Sequence, residues 1–190
     1  VLYNIITLGV NLADNVMIGA YSEIAMSGVS AVNQIQFVFQ QLMMGVGDGI
    51  VVLGSQYWGK RRPDAIRKFL PGAFLVGAGI SLFLFVAACV APEAILAIFT
   101  PDPALRAAGV EYLRIIKYSY LIFALSQILL AMLRSVETVR IGFWVSLAAL
   151  AVNISLNYLL IGGHLGAPEL GATGAAIATA AARTMELAVV

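Results

Sequence analysis

Asp14 is an ionisable side chain in a place where ionisable side chains are expensive. It lies in NIITLGVNLADNVMI, residues 4–18, a run apolar enough to sit in hydrocarbon. On a helix, Asn4, Thr7, Asn11 and Asp14 step by three, four and three residues and share one face, while Ile5, Leu8, Leu12 and Val16 fall elsewhere around the circumference. A polar stripe ending in a carboxylate has to face protein or water rather than lipid. In such a place a carboxylate holds a cation or takes up a proton.

Other polar residues recur at a matching depth. Asn153 and Asn157 are four apart and share a helix face, and Thr179 lies in a later apolar stretch. Counted from the nearer end of each span at 1.5 Å per residue, Asp14, Asn153, Asn157 and Thr179 all fall roughly 6–12 Å below one boundary. Together they offer a carboxylate, two amides and a hydroxyl, an oxygen set that suits a hard cation such as Na⁺. Plain interhelical hydrogen bonding explains the two asparagines equally well. A second stripe, Gln34, Gln41, Asp48 and Ser55, recurs every seven residues, with Gly45 on the same face and Gln36 and Gln40 beside it. It reads either as the lining of a water-filled or substrate path or as close small-residue packing around Gly45, Gly47 and Gly49. Asn4, Thr7 and Asn11 extend the candidate path. Arg183 and Glu186, three apart, read as a structural pair along one helix face. Cys89, in FVAACVA, reads as a small apolar filler.

The elements that must position these residues are membrane helices. The 190 residues are 61% hydrophobic and 11% charged, with mean hydropathy +0.94, whereas soluble domains carry about 25% charged residues. The apolar runs exceed barrel-strand length, so the fold class is all-α integral membrane. Six spans are expected, at about 1–19, 30–57, 69–91, 113–133, 141–161 and 171–190. Connections are expected at 19–28, 58–68, 99–109, 134–140 and 162–171. Lys60, Arg61, Arg62, Arg67, Lys68, Arg134 and Arg140 cluster after spans 2 and 4, against Arg106, Arg114 and Lys117 elsewhere. The positive-inside rule then places the 2–3 and 4–5 loops and the N-terminus in the cytoplasm. The chain opens without an initiator Met and stops inside an apolar run, so both ends read as cut from a longer protein.

No P-loop, H-E-x-x-H, G-x-S-x-G or Cys/His cluster is present, so an enzyme is not expected and no cofactor is implied. His164 stands alone, without metal-ligand spacing, and no metal beyond Na⁺ is indicated. The basic 2–3 loop is accounted for by topology, and nucleic-acid binding is not expected.

Four segments, NLADNVMIG, GVGDGIVVLGSQYWGKR, NISLNYLLIGG and ELGATGAAIATAAARTMEL, resemble the multidrug and toxic compound extrusion (MATE) family, in the family's order and across nearly the whole chain. The resemblance implies a six-helix bundle forming one lobe of a two-lobe transporter in the cell membrane, completed by a second six-helix lobe. It also implies H⁺- or Na⁺-coupled export of amphipathic, often cationic, drugs by alternating access. Asp14 then matches the helix-1 aspartate that takes the coupling ion, Asn153 the helix-5 asparagine, and Thr179 the helix-6 hydroxyl. Asn157 departs from members that carry an aspartate there. A lipid-linked precursor flippase of related architecture is the alternative within transport, and a non-transporting scaffold or sensor the alternative outside it.

Overall fold

The computed structural model describes the backbone of residues 2–190 and their side chains, except those of residues 2–4, 7, 10, 11 and 14. The chain runs α1 (Leu2–Tyr21), α2 (Glu23–Gly59), α3 (Pro63–Val90), α4 (Pro92–Phe99), α5 (Pro103–Ile116), α6 (Ser119–Ser135), α7 (Val139–Ile161), a 3₁₀ turn (His164–Gly166) and α8 (Gly171–Val189). Among the described residues, α2, α3 and α7 are each long and apolar enough to cross a membrane. The α5–α6 pair, bent by 58°, makes a fourth candidate. The count of six spans is therefore not reached by length and composition alone. What stands is an all-helical, multi-pass membrane protein.

Four expected elements move, each for a local reason. The stretch 19–28 is not a loop: α1 ends at Tyr21 and α2 begins at Glu23, with only Ser22 between them. Ser22 caps α2 by accepting from the Ala25 amide. Gly28 looks like a breaker in the sequence but is a packing residue. A Cβ there would come within 2.8 Å of Ala108 Cβ and of the Gly109 nitrogen, so α2 and α5 touch through it. At 37 residues α2 is about 55 Å long, well beyond a hydrocarbon core of about 30 Å. The expected 99–109 connection is largely helix. Pro92 and Pro103 stand at first helical positions, where a missing N–H costs nothing, so they start α4 and α5 rather than marking loop. The span expected at 113–133 is consequently split at Lys117–Tyr118, where Lys117 lies over the Phe85 and Tyr118 rings. In the same way Pro63 opens α3, leaving only Lys60–Arg62 between α2 and α3.

Side chains sort as a bilayer demands. Leu75 and Phe83 are 77% and 74% exposed, and Val90, Ile98 and Trp144 also point outward. On α1 the outward stripe is Ile5, Leu8, Leu12 and Val16. Cys89, read as a small apolar filler, is exposed on α3 beside Val90. The interior is built on Phe39 of α2, whose ring packs 5.2 Å from Tyr120 and 5.6 Å from Phe123 of α6. Helix α8 is the inner element. Its Ala172, Ala175, Ala176 and Ala182 are buried, and a Cβ on Gly174 would lie 2.6 Å from the Leu160 carbonyl oxygen of α7. Small residues bring the two backbones this close, which sets the distance across which the polar side chains below must reach.

Candidate functional site

Antiparallel α7 and α8 hold the first polar rung. The Asn157 Nδ2 donates to Asn153 Oδ1 at 3.2 Å, one turn along α7. In turn Asn153 Nδ2 donates to Thr179 Oγ1 of α8, also at 3.2 Å. All three residues are buried, Asn157 completely. Three of the four residues expected to form a cation site are thus brought together.

The fourth, Asp14, and the path residues Asn4, Thr7 and Asn11 have side chains outside the described residues. Their helix, α1, packs against both α7 and α2. Close to position 14, Asn15 Oδ1 accepts from Asn33 Nδ2 of α2 at 3.5 Å.

On α2, Gln34, Gln41, Asp48 and Ser55 form one exposed polar face. Among the described residues nothing lies within 4 Å of a Cβ at Gly45 or Gly49. Gly47, by contrast, meets Ala131 and Arg134 of α6, and that part of the small-residue reading holds. Gln36 points inward and is buried.

A second buried rung lies deeper along α8, and sequence reasoning passed over it as a structural pair. The Ser146 Oγ of α7 donates to Glu186 Oε1 at 3.0 Å, and Ser126 Oγ of α6 lies 3.4 Å from Oε2. Arg183 Nη1 donates to Ser119 Oγ of α6 at 2.6 Å, with its guanidinium 4.7 Å from the Phe123 ring centroid. Each charged group therefore finds a hydroxyl on a neighbouring helix. The signal was present in the spacing. Asn153 and Ser146 are seven apart on α7, as Thr179 and Glu186 are on α8, and as Ser119 and Ser126 are on α6. A seven-residue step returns to nearly the same helix face, so three helices repeat their polar positions in step.

The first rung presents amide and hydroxyl oxygens in a water-poor interior, which is the chemistry of a hard, monovalent cation or of proton-linked hydrogen bonding. Among the described residues no group of three His, Cys, Asp or Glu side chains could hold a metal ion. His164 has a structural role: its Nδ1 lies 2.9 Å from the Tyr158 carbonyl oxygen near the end of α7, and its ring stacks on Tyr158.

A membrane-embedded helical bundle with a buried polar interior is a frame used by transporters. The family model MatE matches residues 1–159, and the chain belongs to that family. A probable multidrug resistance protein NorM of Thermotoga maritima is 28% identical over 181 residues, covering 95% of this chain and 39% of its own length. The multidrug resistance protein MdtK of Cronobacter sakazakii is 28% identical over 169 residues, covering 89% and 37%. Among solved structures, MATE in the bent conformation superposes with a TM-score of 0.89 at 15% identity, covering 99% of this chain and 41% of that one. The MATE multidrug transporter DinF-BH gives 0.85 at 21% identity, covering 96% and 40%. The chain thus spans about 40% of the length of the relatives it matches.

Proposed function

We propose that this chain forms one lobe of a cation-coupled exporter of amphipathic, cationic drugs, working by alternating access against a second, similar lobe in the cell membrane. The observation that carries the proposal is the buried Asn157–Asn153–Thr179 chain on α7 and α8. It occurs in a family whose relatives include proteins named for multidrug resistance.

In this reading Asp14 supplies the single carboxylate, and Asn153, Asn157 and Thr179 supply neutral oxygens to a coupling Na⁺ or to the hydrogen bonds that accompany a proton. Taking up the ion changes how α1 sits on α7, and that packing change opens and closes the drug path. Such an ion shifts the balance only by its differential affinity for the two packings. Gln34, Gln41 and Asp48 line the path with Asn4, Thr7 and Asn11. Between its ends α2 carries Asp48 but no Lys or Arg, a neutral-to-acidic face that suits a cationic drug and not a pyrophosphate-bearing lipid. The Lys60–Arg62 loop and the N-terminus face the cytoplasm.

The test is Asp14→Asn in the full-length protein, with dye efflux followed in vesicles under imposed H⁺ or Na⁺ gradients. Gradient-driven efflux is expected to fall to background, and the gradient that drives the wild type identifies the coupling ion. Efflux at the wild-type rate in the variant overturns the assignment.

A further inference from the structure

Five of the eleven Lys and Arg residues fall in 60–68: Lys60, Arg61, Arg62, Arg67 and Lys68, with Asp64 the one carboxylate among them. An excess of basic residues on one side is enough to orient a membrane protein, and that rule does not ask for them to be massed in one turn. The fold holds the group in place. Between α2 and α3 the turn is closed by the Arg61 amide donating to the Trp58 carbonyl and the Arg62 amide donating to the Tyr57 carbonyl, both at 2.9 Å, with Arg61 at a φ of 52°. Beside it the Tyr57 and Phe69 rings pack 6.3 Å apart and tie the two helices together. Ile66 is 2% exposed and pins the start of α3 to the interior, while Arg67 and Lys68 stay outside. All five cations are exposed, and among the described residues none is engaged through its side chain by a carboxylate, a hydroxyl or a carbonyl. Cations elsewhere are spent: Arg106 donates to the Pro101 carbonyl, and Lys117 lies over the Phe85 and Tyr118 rings.

The neighbouring sequence fixes the level of this turn in the bilayer. From Gly49 to Gly59 α2 carries no charge, and from Phe69 to Val90 neither does α3. Hydrocarbon therefore extends to the turn along both helices. Trp58 is 43% exposed at this boundary, where interfacial aromatics settle among headgroups. Long Lys and Arg arms reach from there to the phosphate layer. We propose that the α2–α3 turn is a binding site for anionic phospholipid: Lys60, Arg61, Arg62, Arg67 and Lys68 hold the headgroup phosphates, and Trp58 packs against the lipid just beneath them. A zwitterionic headgroup carries its own ammonium to neutralise its phosphate. An anionic headgroup leaves that charge to be met by the protein. Guanidinium forks match phosphate oxygens in pairs, and Arg61 and Arg62 present two such forks from successive positions of a fixed turn. Clusters of about four to eight Lys or Arg residues at the end of a membrane helix attract acidic lipid, each charge adding to the attraction. Asp64 opposes only one of the five. The inference needs a bilayer but no drug and no coupling ion, so it goes beyond the exporter reading and does not rest on it.

The experiment is photocrosslinking of the full-length protein in phosphatidylcholine vesicles doped with a trace of diazirine-labelled phosphatidylglycerol or, in parallel, diazirine-labelled phosphatidylcholine. Crosslinks are mapped by peptide mass spectrometry. In the wild type the segment 57–69 is expected to take phosphatidylglycerol in preference to phosphatidylcholine, and added salt should weaken that preference. Neutralising the turn with Lys60→Gln, Arg61→Gln and Arg62→Gln together should lower it at least about fivefold. The charge-keeping pair Arg61→Lys with Arg62→Lys should retain it, as should Arg114→Gln, which removes an exposed charge on α5. Equal labelling by the two lipids in the wild type overturns the proposal. So does a preference that survives the triple neutralisation, or one lost as fully in the charge-keeping pair or in Arg114→Gln. Asp14→Asn is expected to leave the lipid preference unchanged whatever it does to efflux, so the two readings fail separately.

Discussion

Asn153 is the residue on which the first rung hangs, and Asn153→Ala is expected to cost more than any other single truncation in it. Asn153 accepts from Asn157 and donates to Thr179, so the variant deletes two hydrogen bonds at once. Side-chain hydrogen bonds contribute on average about 0.6 kcal/mol and at most about 1.7 in a membrane; the one to Thr179 crosses helices and the one from Asn157 lies within α7. Taking this acceptor from the fully buried Asn157 amide adds about 1–3 kcal/mol, because little water can replace it there. The combined expectation is about 2–4 kcal/mol. Thr179→Val removes the second bond while leaving the first, and about 1 kcal/mol is expected. The pair Asn153→Ala with Thr179→Val should show a coupling of about 0.6 kcal/mol, since the two residues are in direct contact. Reversible unfolding in mixed detergent–lipid micelles measures all three, with outward-facing Leu75→Ala as the reference for a substitution that touches no partner. If Asn153→Ala falls within about 0.5 kcal/mol of Leu75→Ala, the rung is not a structural unit and the reasoning fails.

Gly174→Ala should destabilise by about 1–3 kcal/mol, because its Cβ would sit 2.6 Å from the Leu160 carbonyl oxygen and force α7 and α8 apart; the same unfolding assay reads it. Single cysteines at Arg61 and Glu137, in short turns at φ of 52° and 63°, should both react with an impermeant thiol reagent from the cytoplasmic side. A cysteine at exposed Leu165 should react only from the opposite side. Asp48→Lys on the exposed α2 face is expected to weaken export of cationic dyes at least about tenfold while leaving unfolding unchanged; equal loss for a neutral dye would argue against a charge-lined path.

The helical class was legible because hydrocarbon imposes it: long apolar runs have to satisfy their backbone groups internally. Helices α7 and α8 begin and end within two residues of the boundaries read from hydropathy, because Gly162, Gly163 and Gly171 punctuate them clearly. Elsewhere the same punctuation misled. Gly28 and Pro103 look alike as breakers, yet one is a close-approach point inside α2 and the other the first residue of α5. A glycine in sequence does not say whether the backbone turns there or merely touches another. The grouping of Asn153, Asn157 and Thr179 was legible from depth, since helices of equal rise place equal counts at equal levels. Glu186 and its serines were not, because Arg183 three residues away offered a sufficient local partner, and only the packed structure shows hydroxyls from α6 and α7 reaching these two side chains.

Both rungs are carried by α8, and that decides how they can act. Thr179 and Glu186 lie about 10 Å apart along one stripe of the helix, with Arg183 between them on nearly the same face. Facing them on α7 are Asn153 and Ser146 in the same register, and at the deeper level Ser119 and Ser126 on α6. A side chain that swung alone would break one rung and spare the other. A rotation of α8 about its own axis, or a slide past α7, carries Thr179, Arg183 and Glu186 together and breaks both. A slide of one turn in one direction sets Thr179 at the level of Ala149 and Glu186 at the level of Gly142. In the other direction Thr179 meets Asn157, but Glu186 comes level with Leu150. Neither neighbouring register lets both rungs re-form. Thr179, Arg183 and Glu186 therefore keep or lose their cross-helix partners together.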